Sequence, residues 1–195
     1  MSSNEQKRSA IASAAMELFA SYGFKSVSMD NIAERACVAK GTLYLYFKDK
    51  EALFYHLLDQ FLADFGRQIQ EIEARHLNLI DELMEVIYRV LLYRKNQKFL
   101  YMIFKEAREL KTSIAVGGVR KIDDQIAGYL NRKLGAVFSG SNLNTELITF
   151  VIIKSYSALA FEWEETHPPL NEREISQAVG TILRGLFTMN GCTAQ

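Results

Sequence analysis

Cysteine and proline are nearly missing: the chain has two of each in 195 residues, and Cys37 and Cys192 stand too far apart in sequence to form a metal-type pair. That scarcity excludes a disulfide scaffold and fits a reducing cytoplasm, the expected location. So few prolines, with 11 glycines and 11% aromatic residues, favour long helices over elaborate loops. No stretch reaches the roughly 18 uncharged apolar residues that a membrane span requires. The nearest, 147–161, is interrupted by Lys154 and several hydroxyls, so no membrane association is expected. The opening MSSNEQKRSA has no apolar segment after its charges, and no secretory signal is expected either.

An excess of charge is absent too, since 23 Lys/Arg balance 23 Asp/Glu. That argues against indiscriminate nucleic-acid binding. Residues 1–50 hold seven basic and five acidic side chains, a net of +2, which permits DNA binding without showing it. Signatures of catalysis are missing as well. His56, His76 and His167 are scattered with no H-E-x-x-H spacing, there is no G-x-S-x-G, and Gly117–Gly118 lacks the Lys-Ser/Thr of a phosphate-binding loop. Neither an enzyme, a metal nor a cofactor is expected.

What the chain has in abundance is helical periodicity. Ile11, Ala14, Ala15, Leu18, Phe19 and Tyr22 form one apolar stripe, predicting a helix over 5–22 that Gly23 ends at a left-handed C-cap. Ser28 reads as the N-cap of a short helix over 29–36, with a break at 37–39 and a third helix over 40–47. Asp49 caps a fourth helix reaching about 75. Further periods cover 79–94, 98–112 and 119–138, with Gly117–Gly118 and Ser139–Gly140–Ser141 as breakers. A long apolar helix over 144–166 is stopped by Pro168–Pro169. Asn171 to Glu174 resembles a capping box opening a last helix, which Gly191 closes. The expected fold class is all-α, with about nine helices.

The segment 28–50, SMDNIAERACVAKGTLYLYFKDK, pairs two short helices across about three residues, the form of a helix-turn-helix whose second helix enters the major groove. At about 100° per residue, Leu43 and Phe47 share one face of that second helix. Gly41, Thr42 and Leu45 lie opposite, with Tyr44 and Tyr46 on the flanks and no carboxylate. Donors, close approach and no anionic repulsion suit phosphates and base edges. Lys40 before this face, and Lys48 and Lys50 after it, add positive charge. Lys50 also opens the fourth helix, where free N–H groups favour a phosphate.

The run Gly41-Thr42-Leu43-Tyr44-Leu45-Tyr46-Phe47-Lys48-Asp49-Lys50-Glu51-Ala52-Leu53 closely resembles the TetR-family signature G-T-[LI]-Y-x-[YH]-F-x-x-K-[ED]-x-L. Upstream, Ala14-Ala15, Leu18-Phe19, Gly23-Phe24, Ser28-Met29 and Ile32-Ala33 match in order and spacing, so the resemblance covers about 8–62. It implies a helix-turn-helix DNA-binding domain over 1–50 and a ligand-binding and dimerisation domain over 51–195. It further implies a ligand-responsive transcriptional regulator: a repressor that binds a palindromic operator as a homodimer and leaves it when a small, largely apolar effector binds. By the same resemblance, Lys40, Thr42, Tyr44, Tyr46 and Lys50 align with DNA contacts, alongside Gly41. Ser28, Met29 and Lys48 resemble positions on the DNA backbone. The chain departs from the family at Cys37, where the family places Gly, a residue suited to positive φ.

In such proteins the effector cavity lies among helices four to eight. The aromatic side chains there suggest Phe61, Phe65, Tyr88, Tyr101, Phe104, Tyr156 and Trp163 as its lining. Glu106 and Arg108 on the sixth helix could orient a polar end of the ligand, but read more readily as an exposed ion pair. The last two helices carry Leu147, Ile148, Val151, Ile152, Leu159 and Ala160, then Ile175, Val179, Ile182, Leu183, Leu186 and Phe187. Faces so apolar are not expected to stay in water, and the resemblance implies that this pair packs against its symmetry mate as a four-helix dimer interface.

Overall fold

The computed structural model describes residues 3–139 and 143–189. Among them every regular element is helical. Three helices make up the N-terminal part: α1 (Ser3–Tyr22), α2 (Met29–Arg35) and α3 (Lys40–Tyr46). The others are α4 (Lys50–Glu73), α5 (Leu79–Asn96), α6 (Lys98–Glu109), α7 (Ser113–Val137), α8 (Thr145–Ser157) and α9 (Glu172–Met189). The capping residues read from sequence do their work. Ser28 accepts the Asn31 N–H and Asn31 Oδ1 accepts the Ser28 N–H, closing a capping box. Asp49 accepts the Ala52 N–H at 2.7 Å, and Asn144, which the sequence reading did not single out, caps α8 by accepting the Leu147 N–H at 3.0 Å. Asn171 accepts from Arg173 and Glu174, while Glu174 reaches back to the Asn171 N–H. Gly23 leaves α1 at φ +78°. Gly140, Ser141, Gly191 and Cys192 lie outside the described residues.

The chain forms two compact units. The first is Met1–Asp64 with Arg94–Lys121, the second Phe65–Tyr93 with Ile122–Gln195. This grouping by packing differs from the 1–50 and 51–195 division drawn around the motif, because α6 and the start of α7 pack with the N-terminal helices. In the first unit, α1 lies against α2 and α6. Phe19, Phe24, Phe54, Phe61 and Phe99 form one chain of ring contacts with centroids 5.3–6.3 Å apart. Offset and edge contacts of this kind add to the burial of large rings. The second unit has its own core, in which Leu83, Leu91, Leu134 and Leu183 are fully buried.

Two expected breaks fall elsewhere. Gly117 and Gly118 sit inside α7 instead of preceding it. A Cβ at Gly118 would lie 3.1 Å from Phe54 Cζ, and one at Gly117 2.7 Å from the Tyr55 hydroxyl. These glycines therefore serve close packing against α4, which outweighs their low helix propensity. The helix expected over 144–166 is regular only to Ser157. It widens into a π-helical turn, Ala158–Glu162, and tightens into a 3-10 turn, Trp163–Glu165, before the prolines. The α6 helix stops at Glu109, three residues early, because Lys111 takes φ +49° and Thr112 caps α7.

Candidate nucleic-acid interface

The α2–α3 pair is built from the inside outward. Ile32 and Ala33 of α2 and Leu43 of α3 are buried, and Phe47 locks the end of α3 beneath them. The turn between the helices passes through Cys37 at φ +53°, the left-handed conformation that the glycine-for-cysteine exchange implied. Cys37 is exposed.

The opposite face of α3 stands in solvent. Leu45 is 85% exposed and Tyr44 45%, large apolar areas left open among the described residues. Thr42 and Tyr46 are half-buried beside them. A Cβ at Gly41 would meet no atom within 4 Å, so this helical glycine answers no packing need among the described residues. Lys40 extends to Asp30, with 2.6 Å between charges, and that hydrogen bond raises its pKa. The Tyr46 hydroxyl donates to Asn4 Oδ1 at 2.9 Å. Lys48 is exposed and Met29 half-buried, while Ser28 is exposed with its hydroxyl committed to the cap.

Lys50 is placed differently. Its Nζ donates to the carbonyls of Phe24 at 2.8 Å and Val27 at 2.6 Å, and lies 4.2 Å from the centre of the Phe24 ring. Burial lowers its pKa, partly offset by the charges of Glu106 and Glu51. Glu106 is the residue that sequence reasoning misplaced. Instead of an exposed partner for Arg108, it is only 5% exposed. Its Oε2 accepts the Phe24 N–H at 2.8 Å and its Oε1 the Thr112 hydroxyl at 2.9 Å. The signal was present: Phe99, Ile103 and Glu106 stand at i, i+4 and i+7, which puts the carboxylate on the inward stripe.

A sequence model described as "Bacterial regulatory proteins, tetR family" matches residues 11–57, the stretch just described. Along 191 residues the chain is 31% identical to the HTH-type transcriptional regulator YhgD of Bacillus subtilis (strain 168), covering 96% of this chain and 97% of that one. The chain belongs to the TetR family. It is a DNA-binding transcriptional regulator, and its relatives are regulators and not enzymes. The fatty acid metabolism regulator protein of the same Bacillus strain is 28% identical over 141 residues, 72% of this chain and 71% of that protein. Among solved structures, the fatty acid degradation regulator FadR from Bacillus halodurans shares the fold. It has a TM-score of 0.69 at 20% identity, over 91% of this chain and 97% of that one.

The aromatic residues read as effector lining in this TetR-family chain fall into separate settings. In the first unit Phe61 is stacked on Phe99 at 5.3 Å, Tyr101 is 55% exposed and Phe104 is half-buried. In the second, Phe65 and Tyr156 are buried in the core, and Trp163 stacks on His167 while donating to the Pro168 carbonyl. Tyr88 lines an open cleft of about 400 Å³ between α5 and α9, with Arg75, Asp81, Glu85 and Arg173 around it. Among the described residues, no cluster of His, Cys, Asp or Glu is arranged to hold a metal, and no helix is long and apolar enough to cross a membrane.

Proposed function

We propose that this chain is a homodimeric repressor whose α3 helices read two half-sites of a palindromic operator, and that a small, largely apolar effector releases it. The observation that carries the reading is the outer face of α3. Leu43 and Phe47 anchor the helix, while Tyr44 and Leu45 stand exposed and Gly41 leaves open space. Glycine is a weaker helix former than alanine, and among the described residues no neighbour requires it here. Close approach of a DNA backbone does. Gly41, Thr42, Tyr44 and Tyr46 then face DNA directly, with Lys40 and Lys48 on phosphates and Ser28 and Met29 opening α2 against the backbone. Lys40 exchanges Asp30 for a phosphate at little cost, since both charges are exposed.

Gly41→Ala tests this with one substitution. Folding stability should hold or rise slightly by thermal denaturation, while affinity for a duplex selected by the native protein should fall sharply. An unchanged affinity would remove Gly41 from the interface.

The dimer is supported by α8 and α9. Leu147, Phe150 and Val151 on α8, and Ile182 on α9, are 44–59% exposed, a large apolar area for adjacent packed helices. Ile152, Ile175, Val179 and Leu183 on the same helices are buried in the core. The apolar character of the effector is supported by two relatives, whose names concern fatty acid metabolism and degradation. Titration with fatty acids and their thioesters of graded chain length tests it, and affinity should rise with each added methylene.

A further inference from the structure

The turn from Gly23 to Val27 delivers α2, and through it α3, from the end of α1. Two charged side chains from distant parts of the sequence grip it. From α6, the buried Glu106 carboxylate accepts the Phe24 N–H at 2.8 Å. From α4, Lys50 donates to the Phe24 carbonyl at 2.8 Å and the Val27 carbonyl at 2.6 Å. Phe24 is thus held at both ends of its own backbone, by an anion on its N–H and a cation on its C=O. Its ring completes the hold, packing on Phe19 and Phe54 at 5.4 and 5.3 Å and beneath the Lys50 ammonium. The grip leaves no slack: a Cβ at Gly23 would sit 2.9 Å from Glu106 Oε2.

An ammonium that spends two of its three donors on carbonyls and lies over a ring is poorly available to a phosphate. Charge-assisted hydrogen bonds of this length are about twice as strong as neutral ones and define direction as well as distance. We propose that Lys50 and Glu106 are positioning residues, which together fix the turn between α1 and α2 and so set the angle at which α3 meets DNA. Lys50 acts from inside the chain and not as a phosphate ligand. The inference rests on the DNA-binding role of α3, and it makes α6 a direct support of the reading unit.

Salt dependence separates the two roles, because each phosphate contact contributes about 0.9 to the slope of log affinity against log salt. The full chain and a duplex it selects from a random pool are the materials. The variants are Lys50→Met, which keeps the stem, and Glu106→Gln, which keeps the shape, with Lys48→Ala as the exposed control. Lys50→Met and Glu106→Gln should each weaken binding about tenfold, within the range of ordinary coupling effects, at an unchanged salt slope. Both should shift the Phe24 amide proton resonance. Lys48→Ala should reduce the slope and leave that resonance in place. A reduced slope with an unmoved Phe24 resonance in Lys50→Met would make Lys50 a phosphate ligand and overturn the proposal. So would native affinity in Glu106→Gln, which keeps the test decisive should Lys50→Met fail to fold. A native protein that selects no duplex at all would instead remove the DNA-binding role of α3.

Discussion

His56 illustrates what a single half-buried side chain does to pH dependence. Its ring packs on Phe47 with centroids 5.2 Å apart, next to the reading helix. Burial lowers its pKa from 6.5, and the charge of Arg8 lowers it further while Asp59 opposes them. The unfolded chain therefore takes up the proton first as the solution is acidified. His56 contributes stability above pH 6.5 that is lost as the pH falls through the lower folded value. The melting temperature of the native protein should decline more steeply below that point than that of His56→Gln. Parallel profiles would show that other groups carry the dependence. A second residue-scale case is Tyr129, which donates to the buried Glu82 carboxylate at 2.7 Å, while Lys133 meets the same oxygen at 2.7 Å. Burial and that carboxylate raise the phenol's pKa, so it stays a donor. Tyr129→Phe should cost about 1.5–3 kcal/mol, as expected for a bond to a charged acceptor. Urea denaturation measures it.

At the scale of the element, the glycines of α7 separate packing from propensity. A Cβ on Gly118 would lie 3.1–3.2 Å from the Phe54 ring and 3.4 Å from Ile103. The ring is nearly fully buried among other rings, so it has little room to retreat. Gly118→Ala should destabilise by about 1–3 kcal/mol, the usual cost of overpacking. Gly128, ten residues along the same helix, faces open space. Gly128→Ala should stabilise by about 0.8–1.0 kcal/mol through propensity alone. Opposite signs in paired thermal melts are the expected result, and a matching gain at both positions would contradict the close approach of α4 and α7. The α8 helix offers the converse lesson. Its sequence is largely apolar, yet its regular hydrogen bonding gives way at Ala158 to a wider turn.

At the scale of the molecule, α4 and α7 each contribute residues to both compact units, with α4 changing units at Asp64 and Phe65 and α7 at Lys121 and Ile122. If an effector acts through α4, ligand and operator must oppose each other by the same factor in both directions, with about 1–3 kcal/mol as the ordinary range. Calorimetric titration of a long-chain fatty acid into free and operator-bound protein measures that factor. Equal affinities in the two titrations would leave the chain a DNA-binding regulator without this coupling.

Local chemistry was legible in the sequence because its partners lie within a few residues. Ser28, Asp49 and Asn171 each cap the helix that follows by accepting an N–H two or three residues downstream, and Gly23 and Cys37 adopt the positive φ that their turns require. The face of α3 follows from its seven residues and the helical repeat. Contacts between residues far apart in the chain were decided by the tertiary structure alone. Gly117 and Gly118 read as breakers until Tyr55 and Phe54 arrive beside them, and an apolar α8 does not say which of its faces the core will take. Glu106 read as a surface charge until its carboxylate met the Phe24 N–H, 82 residues away. Lys50 had every local feature of a phosphate ligand, and folding brings two carbonyls onto two of its three donors. A hydrogen bond rewards whichever partner the fold presents, and no periodicity in the sequence records that choice.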